Sequence, residues 1–366
     1  MTVISAGQTL NIGLGQVDQI ATGDVVDGGG TLNVLFGGVV SDTTVSGDEN
    51  IFSGGSAIAN VVDGGDETLF GGTVIHTHVF GGGAEVVDFG GTAVATLVDS
   101  SGVQIVNIGG TTSGSFVGLN GEEDVRSGGT AVGTDVFNGG VQIVGSAGVA
   151  GGTAIGTVVS SGGEEDVSSG GTAIGTILRG FGFQDVSQGG TASGTIISAG
   201  HVEVFAGGTA VGTVISGGFE QVLAGGTASD TTIAGGTLDV FSGASITGPI
   251  TFTNAGGILQ LVDAPSFHGT VAGFASPPGV NEEIDLGGIS FGKKTKVSFK
   301  EAQSHLSGTL TVTDGTHTAN LTLLGQYSTV DFSLASDGHG GTMVTDPQHH
   351  PSLVGSAASP VLAPPA

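Results

Sequence analysis

A Gly-Gly pair recurs at residues 37, 54, 71, 90, 109, 128, 151, 170, 189, 207 and 225, so successive pairs stand 17 to 19 residues apart, apart from one interval of 23. This beat constrains the fold more than any other property of the chain. Glycine loses the most conformational freedom on folding, so a chain that keeps it at fixed positions uses it for bends. A period of 17 to 19 residues is too short for helix-pair repeats and fits one coil of a β-solenoid.

The register inside the unit supports that reading. Around the pairs the text is "GGTAVATLV" from 90, "GGTAVGTDV" from 128, "GGTAIGTVV" from 151 and "GGTASGTII" from 189. Eight residues after the first Gly stand Val62, Val79, Val98, Val117, Val136, Val159, Leu178, Ile197, Ile215 and Ile233. Three before the next pair stand Ile51, Val87, Val106, Val125, Val167, Val186, Val204 and Val222. In the short unit that ends at Gly71 this place falls to Thr68 with Leu69 beside it, which suggests a slip of one residue. In the long unit the four residues "SAGV" after Gly145 act as an insertion, and their removal returns Val144 to the column. Two short β-branched runs per unit, each bounded by glycine, read as strands. Stacked at about 4.8 Å per coil, these columns become continuous apolar seams. Thr96, Thr134, Thr157, Thr176, Thr195, Thr213 and Thr231 form a further column, and Ala93, Ala131, Ala154, Ala173, Ala192, Ala210 and Ala228 another, so the cross-section is narrow. One coil alone buries too little to offset its ordering entropy, so the fold needs many coils and capped ends.

The chain has 366 residues, 74 of them Gly, yet no Gly-X-Y period, which excludes collagen, and its 38% hydrophobic content argues against disorder. Six Lys+Arg against 33 Asp+Glu give a formal charge of -27. This balance disfavours nucleic acid and anionic membrane surfaces as partners, because phosphate binding requires basic groups, and neither nucleic-acid binding nor membrane insertion is expected. With no Cys there are no disulfides, thiolate metal sites or cysteine nucleophiles. The start, "MTVISAGQTLNIGLGQ", has neither the basic nor the apolar region of a Sec signal, and no apolar run is long enough for a transmembrane helix.

Acids recur a few residues before each Gly-Gly pair: Glu49, Asp66 with Glu67, Glu85, Glu123 with Asp124, Glu165 with Asp166, Asp185, Glu203 and Glu220. They read as a solvated face first. On that reading Val167→Asp costs far more than Glu165→Ala, the first burying a charge and the second removing a hydrated one. Their second reading is a Ca²⁺ site built on oxygen ligands from Glu123, Asp124, Glu165, Asp166, Asp185 and Glu203. Gln104, Gln142 and Gln184 interrupt the column and weaken the case for an ion row. The calcium nonapeptide G-G-x-G-x-D-x-U-x is absent. His76 and His78 alternate and would share one side of a strand, but no third metal ligand accompanies them. Glycan-cleaving β-helices need clustered acids beside a base on one interrupted coil, whereas these repeats are nearly uniform and the chain has no Trp, so no enzyme is expected.

Near residue 250 the beat stops. Residues 1–249 are read as the solenoid, 250–347 as a C-terminal β-rich capping module with Phe267, Val271, Phe274, Ile284, Leu286 and Ile289 in its core, and 348–366 as a disordered Pro/Ala-rich tail.

The "SGGxExVxxGGTAxGTxV" unit, over roughly residues 20–245, resembles the strand-loop-strand repeats of AIDA-type autotransporter adhesin passengers. That resemblance implies an all-β, right-handed parallel β-helix on a bacterial surface. Residues 256–347, with "DAPSFHGTVAGF" and "GTLTVTDGTHTANLTLLGQY", resemble a C-terminal module of type I secreted alphaproteobacterial proteins, which implies one-step export by a C-terminal signal. The resulting expectation is an extracellular adhesin or biofilm-matrix protein that presents a repetitive face to cells, glycans or copies of itself, with a filament or surface-layer subunit as the alternative. No cofactor beyond the possible calcium is expected.

Overall fold

The computed structural model describes residues 1–15, 20–145, 151–275, 277 and 279–345. It is a parallel β-solenoid of about 14 turns. Each coil contributes a strand to each of three sheets. In the coil that follows Gly90 these are Thr92–Val94 (sheet I), Leu97–Val98 (sheet II) and Val103–Val106 (sheet III). Sheet I has 13 strands. Each strand pairs in parallel with its equivalents one coil before and after, as Thr92–Val94 does with Thr73–Ile75 and Thr111–Ser113.

The apolar columns point inward as their spacing required. Val62, Val79 and Val98 are in direct register in sheet II, and the column from Val62 to Ile233 is fully buried. In sheet III Leu69 stands opposite Ile51 and Val87, so the one-residue slip in that short unit is real. Val144 stands between Val125 and Val167, in the column, as the insertion reading required. The inserted "SAGV" itself lies outside the described residues, as does the segment 348–366.

The two glycines of a pair do different work. Gly189 has φ of 81°, a left-handed conformation that costs an L-residue roughly 1–2 kcal/mol. Gly190 has an ordinary φ, but a Cβ there would collide with the carbonyl oxygen of Val167 in the coil below. Gly190→Ala therefore forces a backbone shift against a stacked coil and should cost about 3 kcal/mol, more than Gly189→Ala. Urea unfolding midpoints of the two variants measure this; a larger loss for Gly189→Ala would contradict the close approach.

The parallel stacking runs on past residue 249. Pro249–Phe252 continues sheet II and Gly257–Leu261 continues sheet III; Thr270–Ala272 and Glu282–Leu286 stack on them in turn. Antiparallel strands then cover both sheets. The hairpin Ser307–Thr313 and Thr318–Leu324 joins sheet II, with Lys296–Glu301 outside it, and Thr342–Thr345 with Ser333–Ser336 joins sheet III. Val271, Phe274, Ile284, Leu286 and Ile289 are fully buried and Phe267 nearly so, in one apolar cluster with Ile233 and Leu238 of the repeats. Sheet I has no such continuation: it ends at Ser245–Thr247. Among the described residues no helix is long and apolar enough to cross a membrane.

Candidate functional site: an interior carboxyl ladder and three outer faces

The periodic acids are not one solvated face. In a strand, residues i and i+2 share a side, and Glu165 stands two before inward Val167. Glu49, Glu67, Glu85, Glu123, Glu165 and Glu220 are accordingly 0% exposed. With Gln104, Gln142 and Gln184 they form an in-register interior ladder in sheet III. The reading of these six as hydrated carboxylates is corrected by strand parity, and with it the expectation that Glu165→Ala is mild.

Burial of a carboxyl requires partners, and the repeat supplies them. The threonine column donates, Thr96 to Glu85, Thr134 to Glu123, Thr176 to Glu165, and Thr213 and Thr231 to Glu220, and Thr112, which takes a place in the alanine column of sheet I, also donates to Glu123, all at 2.8–3.1 Å. The glutamines act as spacers. Nε2 of Gln142 and of Gln184 donates to Glu123 and Glu165 at 2.6 Å, and Gln104 donates likewise to Glu85. Their Oε1 atoms accept from Thr157, Thr195 and Ser115. From Glu85 to Gln184 acid and amide alternate, which doubles the carboxyl spacing to about 9.6 Å at about 4.8 Å per rung and halves the Coulomb repulsion. Glu49, Glu67 and Glu85 occupy consecutive rungs without a spacer. Asn60 donates to both Glu49 and Glu67, and the charge of Glu67, after burial, helps to push its neighbours Glu49 and Glu85 up. Desolvation pushes all six carboxyls up, Glu220 to about 7.

The six residues expected as calcium ligands therefore divide between two sides of the sheet. Glu123 and Glu165 are inside the ladder. Asp124 is outward but nearly buried, and Arg126 Nε donates to it at 2.6 Å. Asp166, Asp185 and Glu203 stand in register on the outer face. Glu203 is one residue out of the acid ladder, whose rung Val202 fills, and lies 3.6 Å from His201. Glu164, which with Glu165 and Asp166 forms a run of three acids read from the sequence as solvent face first and cation site second, joins Asp166 and Asp185 so that carboxylate oxygens of all three lie within 4.8 Å of one another. Burial first, then the charges of Glu164 and Asp185, pushes Asp166 up to about 7; burial, then Glu203 and Glu164, pushes Asp185 up to about 6. Three carboxylates are the oxygen donors Ca²⁺ accepts, but it takes 6–8 ligands. In the same face Phe183 meets His201 edge to face, with ring centroids 4.1 Å apart, and His201 stacks on Phe219 at 4.8 Å.

The paired histidines do not share a strand. His76 turns the corner with φ of 61°, Thr77 points inward, and His78 begins the next strand beside Asp99 at 3.3 Å.

The outer faces differ sharply in charge. Sheet III carries the acids above. Sheet I, from Ile20 to Thr247, has no charged residue in any strand. Its outer side is a rank of Thr, from Thr73 to Thr227, beside a rank that includes Ile58, Val132, Ile155 and Ile174, all four exposed. The sequence named the inward alanines of these strands but not the uncharged outer side, whose signal is the Thr-Ala-x triplet itself.

No family model matches the chain, and no curated protein matches it. Among solved structures it is similar to the TibC-catalysed, hyper-glycosylated TibA fragment, with 31% identity over 71% of this chain and 97% of that one and a TM-score of 0.62. TibA is an autotransporter adhesin, and the fragment is from its passenger. At that identity and coverage, with the same β-solenoid, the chain belongs to the AIDA-type autotransporter passenger family.

Proposed function

We propose that the chain is an extracellular, non-enzymatic adhesin that acts at the cell surface by association with cells, glycans or further copies of itself, with sheet I as the contact face for self-association. The observation that carries this is the absence of charge from a sheet of 13 strands in a chain of net charge -27. Two such chains repel wherever their acids meet, and sheet I is where they can approach. At about 4.8 Å per strand and 3.3 Å per residue the face covers about 600 Å² per copy, at the low end for a specific interface. Many copies on one surface would multiply so weak a contact. The near-uniform repeats favour this over an enzyme, and no cofactor is required in this reading.

Light scattering against salt tests it. Screening of like charge strengthens association through an uncharged face, so the particle mass should rise from low to high salt. Thr153→Glu with Thr172→Glu and Thr191→Glu should keep the chain monomeric at both. Association that weakens with salt, or that survives the triple variant, would refute the assignment.

A further inference from the structure

Where sheet I ends, the fold leaves a strand-sized gap. In the coil after Ser245–Thr247, residues 262–269 leave the coil path through the short 3-10 turn Ala264–Ser266. Between this arch and the last strand lies a cleft of about 360 Å³, lined by Val240, Ile246, Leu261 and Phe267 with Asp263 and His268 at its rim. Ile246 continues the inward column of Ala192, Ala210 and Ala228; those three are buried, but Ile246 is only half-buried, because nothing stacks on it.

The backbone is open at the same place. Each strand of sheet I meets the next coil through four groups. The carbonyl before the strand accepts, as Gly226 does from Ser245 N–H, and the N–H after it donates, as that of Gly212 does to Ser229. The middle residue directs both its N–H and its C=O the same way in a parallel ladder. On the last strand these groups are the Ala244 carbonyl, both groups of Ile246 and the Gly248 N–H. None has a backbone partner on that side among the described residues.

We propose that this edge and cleft form a binding site for one extended, uncharged peptide segment of another chain, which adds as the next strand of sheet I. The chemistry selects the occupant. Only a peptide backbone presents donors and acceptors at the spacing of four ladder groups, the mode by which exposed sheet edges take a strand. The apolar lining takes a small or branched side chain over Ile246. The rim carboxylate of Asp263 and the net charge of -27 disfavour an acidic peptide, and the lining has no Lys or Arg. The site is the end of sheet I, separate from its broad face.

A fluorescein-labelled peptide GGTAIGT, the sequence at residues 170–176, is the probe, because its Thr-Ala-Ile has the Thr-Ala-x form of most sheet I strands. Fluorescence anisotropy with the full chain should show saturable binding. The peptide GGTAPGT lacks the N–H that would reach the Ile246 carbonyl and should bind roughly tenfold more weakly. Ile246→Asp should abolish binding, Phe267→Ala on the arch should weaken it, and Thr172→Glu on the broad face should leave it unchanged, each variant checked by circular dichroism. If Ile246→Asp does not fold, Phe267→Ala decides. No saturable binding, equal binding of the proline peptide, binding unchanged in the cleft variants, or loss of binding in Thr172→Glu would each overturn the proposal.

Discussion

Glu165→Ala should destabilise the solenoid by about 3 kcal/mol, as much as a large truncation in an apolar core. The side chain is fully buried, and its Oε2 accepts from both Thr176 and Gln184. Alanine leaves both donors without that acceptor and opens a cavity between two coils. Glu165→Gln should cost under about 1 kcal/mol, because the amide oxygen keeps both bonds. Glu164→Ala, one residue earlier on the outer face, should be neutral or slightly stabilising, since it relieves the repulsion with Asp166 and Asp185. Urea unfolding at neutral pH ranks the three. If Glu165→Ala were no worse than Glu164→Ala, Glu165 would not be inside.

Stability should be greatest in mild acid and decline through neutrality. A carboxyl whose folded value is raised contributes stability that is fully present below the unfolded value and lost as pH rises through the folded one. For Glu220, raised from 4.5 to about 7, the loss between those values is about 3 kcal/mol. The other five interior glutamates act in the same direction, as do the half-exposed Asp166 and Asp185 on the outer face. Asp314 opposes them: the N–H groups of His317, Thr316 and Ser290 hold its carboxyl well below the usual range. Its contribution is present above the unfolded value and lost as pH falls below it. The optimum therefore lies near pH 4–5, with loss on both sides and the larger loss toward alkali. Urea midpoints across pH 3–9 measure the profile, and a monotonic rise toward pH 8 would contradict it.

The columns were legible because glycine punctuation and β-branched spacing report the same period. Val62 to Ile233 pointed inward, Leu69 took the slipped position, and Val144 returned to the seam. The faces of the acids were misread for a physical reason. Charge argued for water at Glu165 while its parity with Val167 argued for the interior, and parity won because the threonine column and the glutamine spacers donate to the buried carboxyl through its Oε2. The three glutamines that looked like interruptions of an ion row were the signal of a buried ladder, since amides alternating with acids make sense only where carboxyls must be kept apart out of water. The end of sheet I was hidden because Ser245-Ile246-Thr247 is still in phase with the repeat. Only the next coil, with Pro265 in its turn and no Thr-Ala-x triplet, departs from it.

The account rests on carboxyls stacked inside the solenoid, and ¹³C-carboxyl NMR of the glutamate-labelled chain, titrated with pH, tests that most directly. A set of six resonances, assignable by the Glu→Gln variants at 49, 67, 85, 123, 165 and 220, should titrate above the ordinary carboxylate range, with Glu220 at about 7. All the glutamate carboxyls titrating together at the ordinary value would place the column in water and contradict the interior ladder.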